Sequence, residues 1–303
     1  MDVQAVLNCI RIAREGGTIA LAPEGNRTYS GYTGYIKPSL VQLVRKLKLP
    51  LALFRIEDGY GVCPRWSDVV RKGKMRAYVS QVIEPDEYAK MEDDELYHVI
   101  RQALDVNEAA VTGQFCHRKS AEYLERMVYT CPKCGLAEWE SSGDTVECLK
   151  CGTKVRYLPT KEIEGIGCEF PYRFAADWYD AQCDFVNHLD LAPYKETPMF
   201  CDQVRVSTVQ LYRKKTKLLK EAEMCLWGDR ITVKSNGTEL LFPYTDTSAV
   251  TVLGRNKLNI YTEDTVYQIK GCRKGFNALK YVNIFYHAKN IMEGLENEQF
   301  LGL

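Results

Sequence analysis

The 303-residue chain is 46% hydrophobic and 26% charged, with 40 basic residues against 40 acidic ones. That is enough apolar residue for a real core in about two domains. The neutral balance gives no general attraction to nucleic acid, and no apolar run reaches the ~18–20 residues of a membrane-spanning helix. The charge is unevenly placed. Residues 1–80 hold 13 Lys and Arg against 6 Asp and Glu, while residues 81–130 hold 5 against 11. The basic excess suits an anionic ligand, and it equally suits a solvated basic face. Asp2, Gln4 and Asn8 interrupt any leader-like apolar stretch. Twelve cysteines without a leader point to a reducing cytoplasm, where paired cysteines signal metal more often than disulfides.

In chain order, residues 3–15 place Val3, Val6, Leu7, Ile10 and Ala13 on one helical face, and Gly16-Gly17 stops that helix. The apolar run 18–22 reads as a buried parallel strand. Pro38 opens a second helix with Leu40, Leu43, Val44 and Leu47 in register, and Pro50 introduces the strand "LALFRI". A strand over 75–83 and a helix over 93–105, with an acidic first turn, complete an α/β pattern that suggests a sandwich with few strands.

The stretch "YTCPKCGLAEWESSGDTVECLKCGTKVRY" carries Cys131-x2-Cys134 and Cys148-x2-Cys151, 13 residues apart, each pair followed by glycine. Gly135 and Gly152 permit tight turns that aim backbone N–H groups at sulfur. Four thiolates at this spacing predict one structural Zn2+ in a zinc ribbon, with "SSGD" turning between its arms. The other eight cysteines read as core or surface thiols. Lys150, Lys154 and Arg156 offer a basic edge, but Trp139 and Tyr157 read as core, so no nucleic-acid partner is expected. A helix over 175–189 should pack Trp178, Cys183 and Phe185 on a neighbour. Beyond residue 200 come short strands, one of them over 202–214. Turns are expected at Gly228-Asp229, Asn236-Gly237, Gly254-Arg255 and Glu263-Asp264, followed by a terminal helix carrying Leu279, Val282, Phe285, Tyr286 and Lys289. Six or seven antiparallel strands and one helix resemble a pleckstrin-homology (PH) or GRAM-like module.

"LAPEGNRTYSG" places Glu24, Gly25 and Arg27 directly after the apolar run at 18–22, where open α/β sheets bind their ligands. Gly25 lets the chain turn sharply. Arg27 can present a planar fork to two phosphate oxygens. Glu24 can fix the turn by accepting from that guanidinium or from a backbone N–H. The alternative is a strand-end turn with a surface ion pair.

Ala22-Pro23-Glu24-Gly25-Asn26-Arg27-Thr28, followed by a helix and the Pro50-led strand, resembles the glycerolipid acyltransferase family, which includes 1-acylglycerol-3-phosphate acyltransferases. There the block reads Phe-Pro-Glu-Gly-Thr-Arg-Ser, so Ala22, Asn26 and Thr28 depart from it. The resemblance covers roughly residues 1–110. It implies an incomplete acyltransferase sandwich over 1–125, ahead of a zinc ribbon at 126–158, a helical connector at 159–198 and the PH/GRAM-like β domain at 199–303. It also implies transfer of an acyl group from acyl-CoA or acyl carrier protein to lysophosphatidate. Arg27 would hold the acceptor phosphate, with Glu24, Gly25, Pro50 and Lys37 around it and Arg45, Lys46 and Lys48 as weaker anion contacts. A lysophospholipid or glycerol-phosphate substrate implies a cytoplasmic protein, peripheral at the inner face of the membrane. The family's catalytic base is a His-x4-Asp upstream of this block, yet the first histidine here is His98. A chain beginning inside the domain is one account, and a pseudoenzyme, a non-catalytic lipid- or protein-binding module, is the other. His117-x4-Glu122 lies downstream and reads as coincidence.

Overall fold

A computed structural model describes residues 3–210, 215–235 and 237–295. Helix α1 (Val3–Arg14) forms as its periodicity predicts, but Leu7 stays 53% exposed. The expected parallel strand over 18–22 does not form, and Leu21 lies exposed. A short apolar run holds strand geometry only where a neighbouring strand takes up its N–H and C=O groups. No described strand pairs with it. The segment instead runs into a turn in which Gly25 N–H donates to the Ala22 carbonyl at 3.0 Å.

Helix α2 (Leu40–Leu47), strand β1 (Leu51–Glu57), the single-turn α3 (Gly59–Val62), strand β2 (Arg76–Ile83), the single-turn α4 (Pro85–Tyr88) and α5 (Asp93–Leu104) follow. The strands β1 and β2 pair antiparallel as a two-stranded sheet. Val41, Val44, Leu53, Ile83, Tyr88, Leu96 and Ile100 make a small core between the helices and one face of this sheet. Two antiparallel strands covered on one face are not the α/β sandwich that the sequence suggests.

The next strands are β3 (Thr130–Cys131), β4 (Gly135–Leu136), β5 (Trp139–Ser142), β6 (Thr145–Cys148), β7 (Lys154–Tyr157) and β8 (Ile163–Gly165). β3 and β4 form a hairpin, and β5 to β8 form an antiparallel sheet in chain order. The expected turn between the two arms is present, with Gly143 at φ +65° where a side chain would be strained. Helix α6 (Ala175–Asn187) buries Trp178 completely, while Phe185 stays 36% exposed. Trp178 meets Trp139 edge to face at 4.7 Å, and both indole N–H groups donate to the Thr130 carbonyl. One buried acceptor thus fixes two large rings, which ties the helix to the cysteine-bearing strands.

The last unit holds β9 (Phe200–Val209), β10 (Thr216–Leu226), β11 (Arg230–Ser235), β12 (Thr238–Pro243), β13 (Ala249–Leu253), β14 (Lys257–Tyr261), β15 (Val266–Gly271) and α7 (Leu279–Glu293). The strands form one antiparallel sheet in the order β12-β11-β10-β9-β15-β14-β13. The turns expected at Gly228-Asp229, Gly254-Arg255 and Glu263-Asp264 each join successive strands. Asn236 of the fourth turn, and residues 211–214 of the expected 202–214 strand, lie outside the described residues. Helix α7 packs Leu279, Val282 and Phe285 into the core, as its pattern predicts, and also buries Lys280, Asn283 and His287. Lys280 Nζ pairs with Asp202 at 2.8 Å, Asn283 donates from Nδ2 to the Tyr129 hydroxyl while its Oδ1 stays without a partner among the described residues, and His287 Nε2 pairs with the Leu189 carbonyl. Burial of the lysine and histidine is tolerated because each finds a partner. One apolar cluster runs from Tyr29 and Trp66 through the cysteine strands and α6 to the seven-stranded sheet and α7.

Cys201 and Cys225 stand directly opposite on β9 and β10 and are joined as a disulfide. This corrects the expectation that all unpaired cysteines are thiols. Opposition across a ladder brings two residues together that are far apart in sequence.

Candidate functional site

The Glu-Gly-Asn-Arg loop is held from two sides. Glu24 Oε2 accepts from the Gly34 backbone N–H at 2.5 Å, closing the loop on its own continuation. A Cβ at Gly34 would stand 2.9 Å from that carboxylate oxygen, so the Glu24 side chain would have to shift to admit one. Gly25 sits at φ +75°, the left-handed turn its residue type permits. Glu24 therefore fixes the turn through backbone and not through Arg27. Arg27 is exposed and donates through Nη1 to the Cys63 carbonyl at 3.0 Å, with Cys63 Sγ 3.7 Å away.

Behind Arg27 lies Arg65, a 3%-exposed guanidinium. It donates to the Arg27 carbonyl at 2.8 Å, to Gly254 O at 3.1 Å and to Val252 O at 3.4 Å, and its Cζ lies 4.5 Å from the Tyr29 ring centroid. Tyr29 in turn donates from its hydroxyl to the Arg255 carbonyl at 3.2 Å. These bonds fasten the Arg27 loop to the β13–β14 turn. Arg255 reaches Cys63 Sγ at 3.9 Å and Asp68 at 3.3 Å. Arg126, itself buried, grips Asp68 with a two-pronged fork at 2.7 and 3.1 Å. The hydrogen bond from Arg126 holds the Asp68 carboxyl below its usual range, with Arg255 and Lys274 adding to the effect. Burial pushes the Tyr29 hydroxyl up, and the charges of Arg65, Arg126 and Arg27 oppose that shift. Arg126 and Arg255 share the one carboxylate of Asp68, and Arg65 and Arg27 join them through the β13–β14 turn and Cys63, so the cluster is net positive and suited to an anion.

Of the remaining expected contacts, Lys37 is exposed and Pro50 is exposed at the entry to β1. Arg45 is committed elsewhere, to Asp93 at 2.6 Å and to the carbonyls of Tyr88 and Met91. It braces α2 against the start of α5 and is not placed to take a ligand. His98 is exposed on α5. His117 accepts the Lys119 backbone N–H on Nδ1, and Glu122 pairs with the Lys119 ammonium at 2.9 Å. Neither histidine forms a histidine–carboxylate dyad among the described residues. Sequence spacing did not mark Tyr29, Cys63, Arg65, Asp68 or Arg255 as site residues. Their contacts cross up to 226 positions, and only the Gly254-Arg255 turn was legible beforehand.

The four cysteines of the ribbon come together. The sulfurs of Cys131, Cys134, Cys148 and Cys151 lie within 4.8 Å of one another, and two of the pairs are 3.7 Å apart. Four sulfurs at ~2.3 Å from a tetrahedral Zn2+ would stand about 3.8 Å apart, so the cage has the size of a metal site. Gly135 and Gly152 both sit at φ +71°, in the turns that follow each pair. Thr153 hydrogen-bonds to Cys151 through its hydroxyl and its backbone, which lowers that thiol to about 6, whereas burial raises Cys134 and Cys148. With all four ligands supplied by protein, such a metal has no open position for substrate.

No protein-family model matches the chain, and no curated protein sequence matches it. Among solved structures, the chain is similar to the N-terminal PH domain of human ARAP2, at 15% identity and a TM-score of 0.27. That match covers 33% of this chain and 86% of the other. No described helix is long and apolar enough to cross a membrane.

Proposed function

We propose that this protein binds the phosphate of a lysophospholipid or glycerol-phosphate acceptor at Arg27, as the acceptor site of a glycerolipid acyltransferase-like protein. The supporting observation is the fixed loop. Glu24 fastens it to Gly34, Arg65 holds the Arg27 carbonyl, and the exposed Arg27 guanidinium shares the Cys63 sulfur with Arg255. An arginine whose backbone is already placed loses less freedom on gripping a phosphate. Acyl-CoA or acyl carrier protein would be the donor. The family's base precedes the Glu-Gly-x-Arg block, and no histidine precedes His98 here, so the proposal for these 303 residues is binding without turnover. A lysophospholipid acceptor places the protein at a membrane surface, peripheral on the cytoplasmic side. Zn2+ is the metal we propose for the four-cysteine cage, in a structural role. The strand order and terminal helix favour a PH- or GRAM-like reading of residues 199–303, which would add a lipid- or protein-binding surface.

The test pairs binding with turnover. Lysophosphatidate should bind saturably, monoacylglycerol without the phosphate should bind at least ten-fold more weakly, and acyl-CoA should give no product. Equal binding of both lipids would remove the phosphate site. Robust acyl transfer would mean that a base such as His98 or His117 acts after all.

A further inference from the structure

We infer that Arg255, from the turn between β13 and β14, supplies a second guanidinium to the phosphate site of Arg27, so that one phosphate monoester is gripped by two distant parts of the chain. The inference rests on the phosphate-holding reading of Arg27 and adds to it a residue from the C-terminal sheet. Three observations carry it. The guanidiniums of Arg27 and Arg255 approach the same atom, Cys63 Sγ, at 3.7 and 3.9 Å. Their backbones are fastened together, since Arg65 bonds the carbonyls of Arg27 and Gly254 and Tyr29 bonds that of Arg255. Asp68, the carboxylate that Arg255 touches, is already occupied by the Arg126 fork, so Arg255 is only partly neutralised.

Two like charges held this close repel one another, and an anion between them relieves the repulsion. Two planar forks can serve the three terminal oxygens of a monoester, whereas a phosphodiester offers only two. The site should therefore select dianionic monoesters, of which glycerol 3-phosphate and the headgroup of lysophosphatidate are examples. The Cys63 sulfur would lie under the bound phosphate, which gives a readout independent of any activity.

The experiment is calorimetric titration of the full chain with inorganic phosphate, glycerol 3-phosphate and the diester glycerophosphocholine. Sedimentation with phosphatidylcholine vesicles, with and without phosphatidate, runs alongside. Arg27→Ala, Arg255→Ala and Arg255→Lys are compared with Arg273→Ala, which alters an exposed arginine paired with Glu140. Arg27→Ala and Arg255→Ala should each weaken monoester binding about ten-fold or more. Arg255→Lys should recover part of the loss, and Arg273→Ala should change nothing. The monoester, and not the diester, should slow alkylation of Cys63 by iodoacetamide. Binding confined to phosphatidate vesicles, with the same dependence on Arg255, would identify a lipid headgroup as the source, and binding of the soluble monoesters a free phosphate. If Arg27→Ala abolished binding while Arg255→Ala left it intact, with unchanged melting, the two-armed site would be wrong and the Arg27 reading would stand. Binding indifferent to both arginines, or no binding of any probe, would overturn both.

Discussion

The strand pair β1–β2 and the seven-stranded sheet β9–β15 are both antiparallel, and they treat their apolar faces oppositely. In the pair, Ala52, Phe54 and Ile56 stand opposite Val82, Val79 and Ala77, so all six project from one face. That face is open to solvent, with Phe54 at 54% and Val82 at 52% exposed. In the larger sheet, Val204, Met224, Ile231, Val250, Leu258 and Ile269 are at most 0% exposed and share a core with α7. The chemistry of the side chains is the same. What differs is the covering layer: helices close only one side of the small sheet. An apolar strand pattern therefore reports the capacity to be buried, and burial itself depends on elements elsewhere in the chain.

The largest expected effect breaks the better-covered region through its metal. Purified protein should carry one zinc per chain under reducing conditions. Replacing buried Cys148 with serine should unfold the ribbon, because metal binding in so small a unit is folding free energy, on the order of 10–16 kcal/mol in zinc-finger peptides. The ribbon shares its core with α6 and α7, so the loss should spread to the C-terminal sheet as a broadened thermal transition, while the small core of α2 and α5 is spared. Zinc content near zero would end the metal assignment.

A matched pair of substitutions sharpens the same contrast. Phe242 on β12 is 3% exposed and meets Tyr267 at 5.0 Å. Phe242→Ala should cost about 3–5 kcal/mol in denaturant unfolding. Phe54→Ala on β1 should cost less than about 0.5 kcal/mol, as exposed substitutions do. Similar losses at both positions would show that the β1–β2 face is covered in solution.

The smallest effect concerns acid. Asp68 joins Arg126 and Arg255 with a folded pKa below its unfolded value. Its contribution is therefore complete above the unfolded value of ~3.9 and disappears as pH falls through the folded one. Asp68 is partly exposed, so solvent screens the contribution. The stability of Asp68→Asn should fall less steeply below about pH 4 than that of the unaltered protein, a difference readable in urea melts. An identical acid limb in both proteins would mean that Asp68 is not held by the arginines.

Much of this was legible in the chain itself. The cysteine spacing carries its geometry locally, because each pair and its glycine form one turn. The same holds for the Gly- and Asp-marked hairpins of the C-terminal sheet and for the apolar stripe of α7. Other features depend on partners remote in sequence. The run at 18–22 has strand composition but no ladder partner among the described residues. The Cys201–Cys225 bond follows from the register of β9 on β10, which no spacing rule gives. The arginine cluster was the least legible. Arg27 stood out by its motif, whereas Arg65 meets it across 38 positions and Arg255 joins the cluster only once residues 187 or more positions apart are folded together.

The most direct measurement on the central claim is the affinity of the Arg27→Lys protein for lysophosphatidate, beside that of the unaltered chain. Lysine keeps the charge and loses the planar fork. If Arg27 grips phosphate through paired, charge-assisted hydrogen bonds, affinity should fall about ten-fold, and Arg27→Ala should fall further. Affinity for monoacylglycerol, which lacks the phosphate, should not change. Equal lysophosphatidate affinity in all three proteins would contradict the account and leave Glu24-Gly25-Asn26-Arg27 as a turn that joins two parts of the fold.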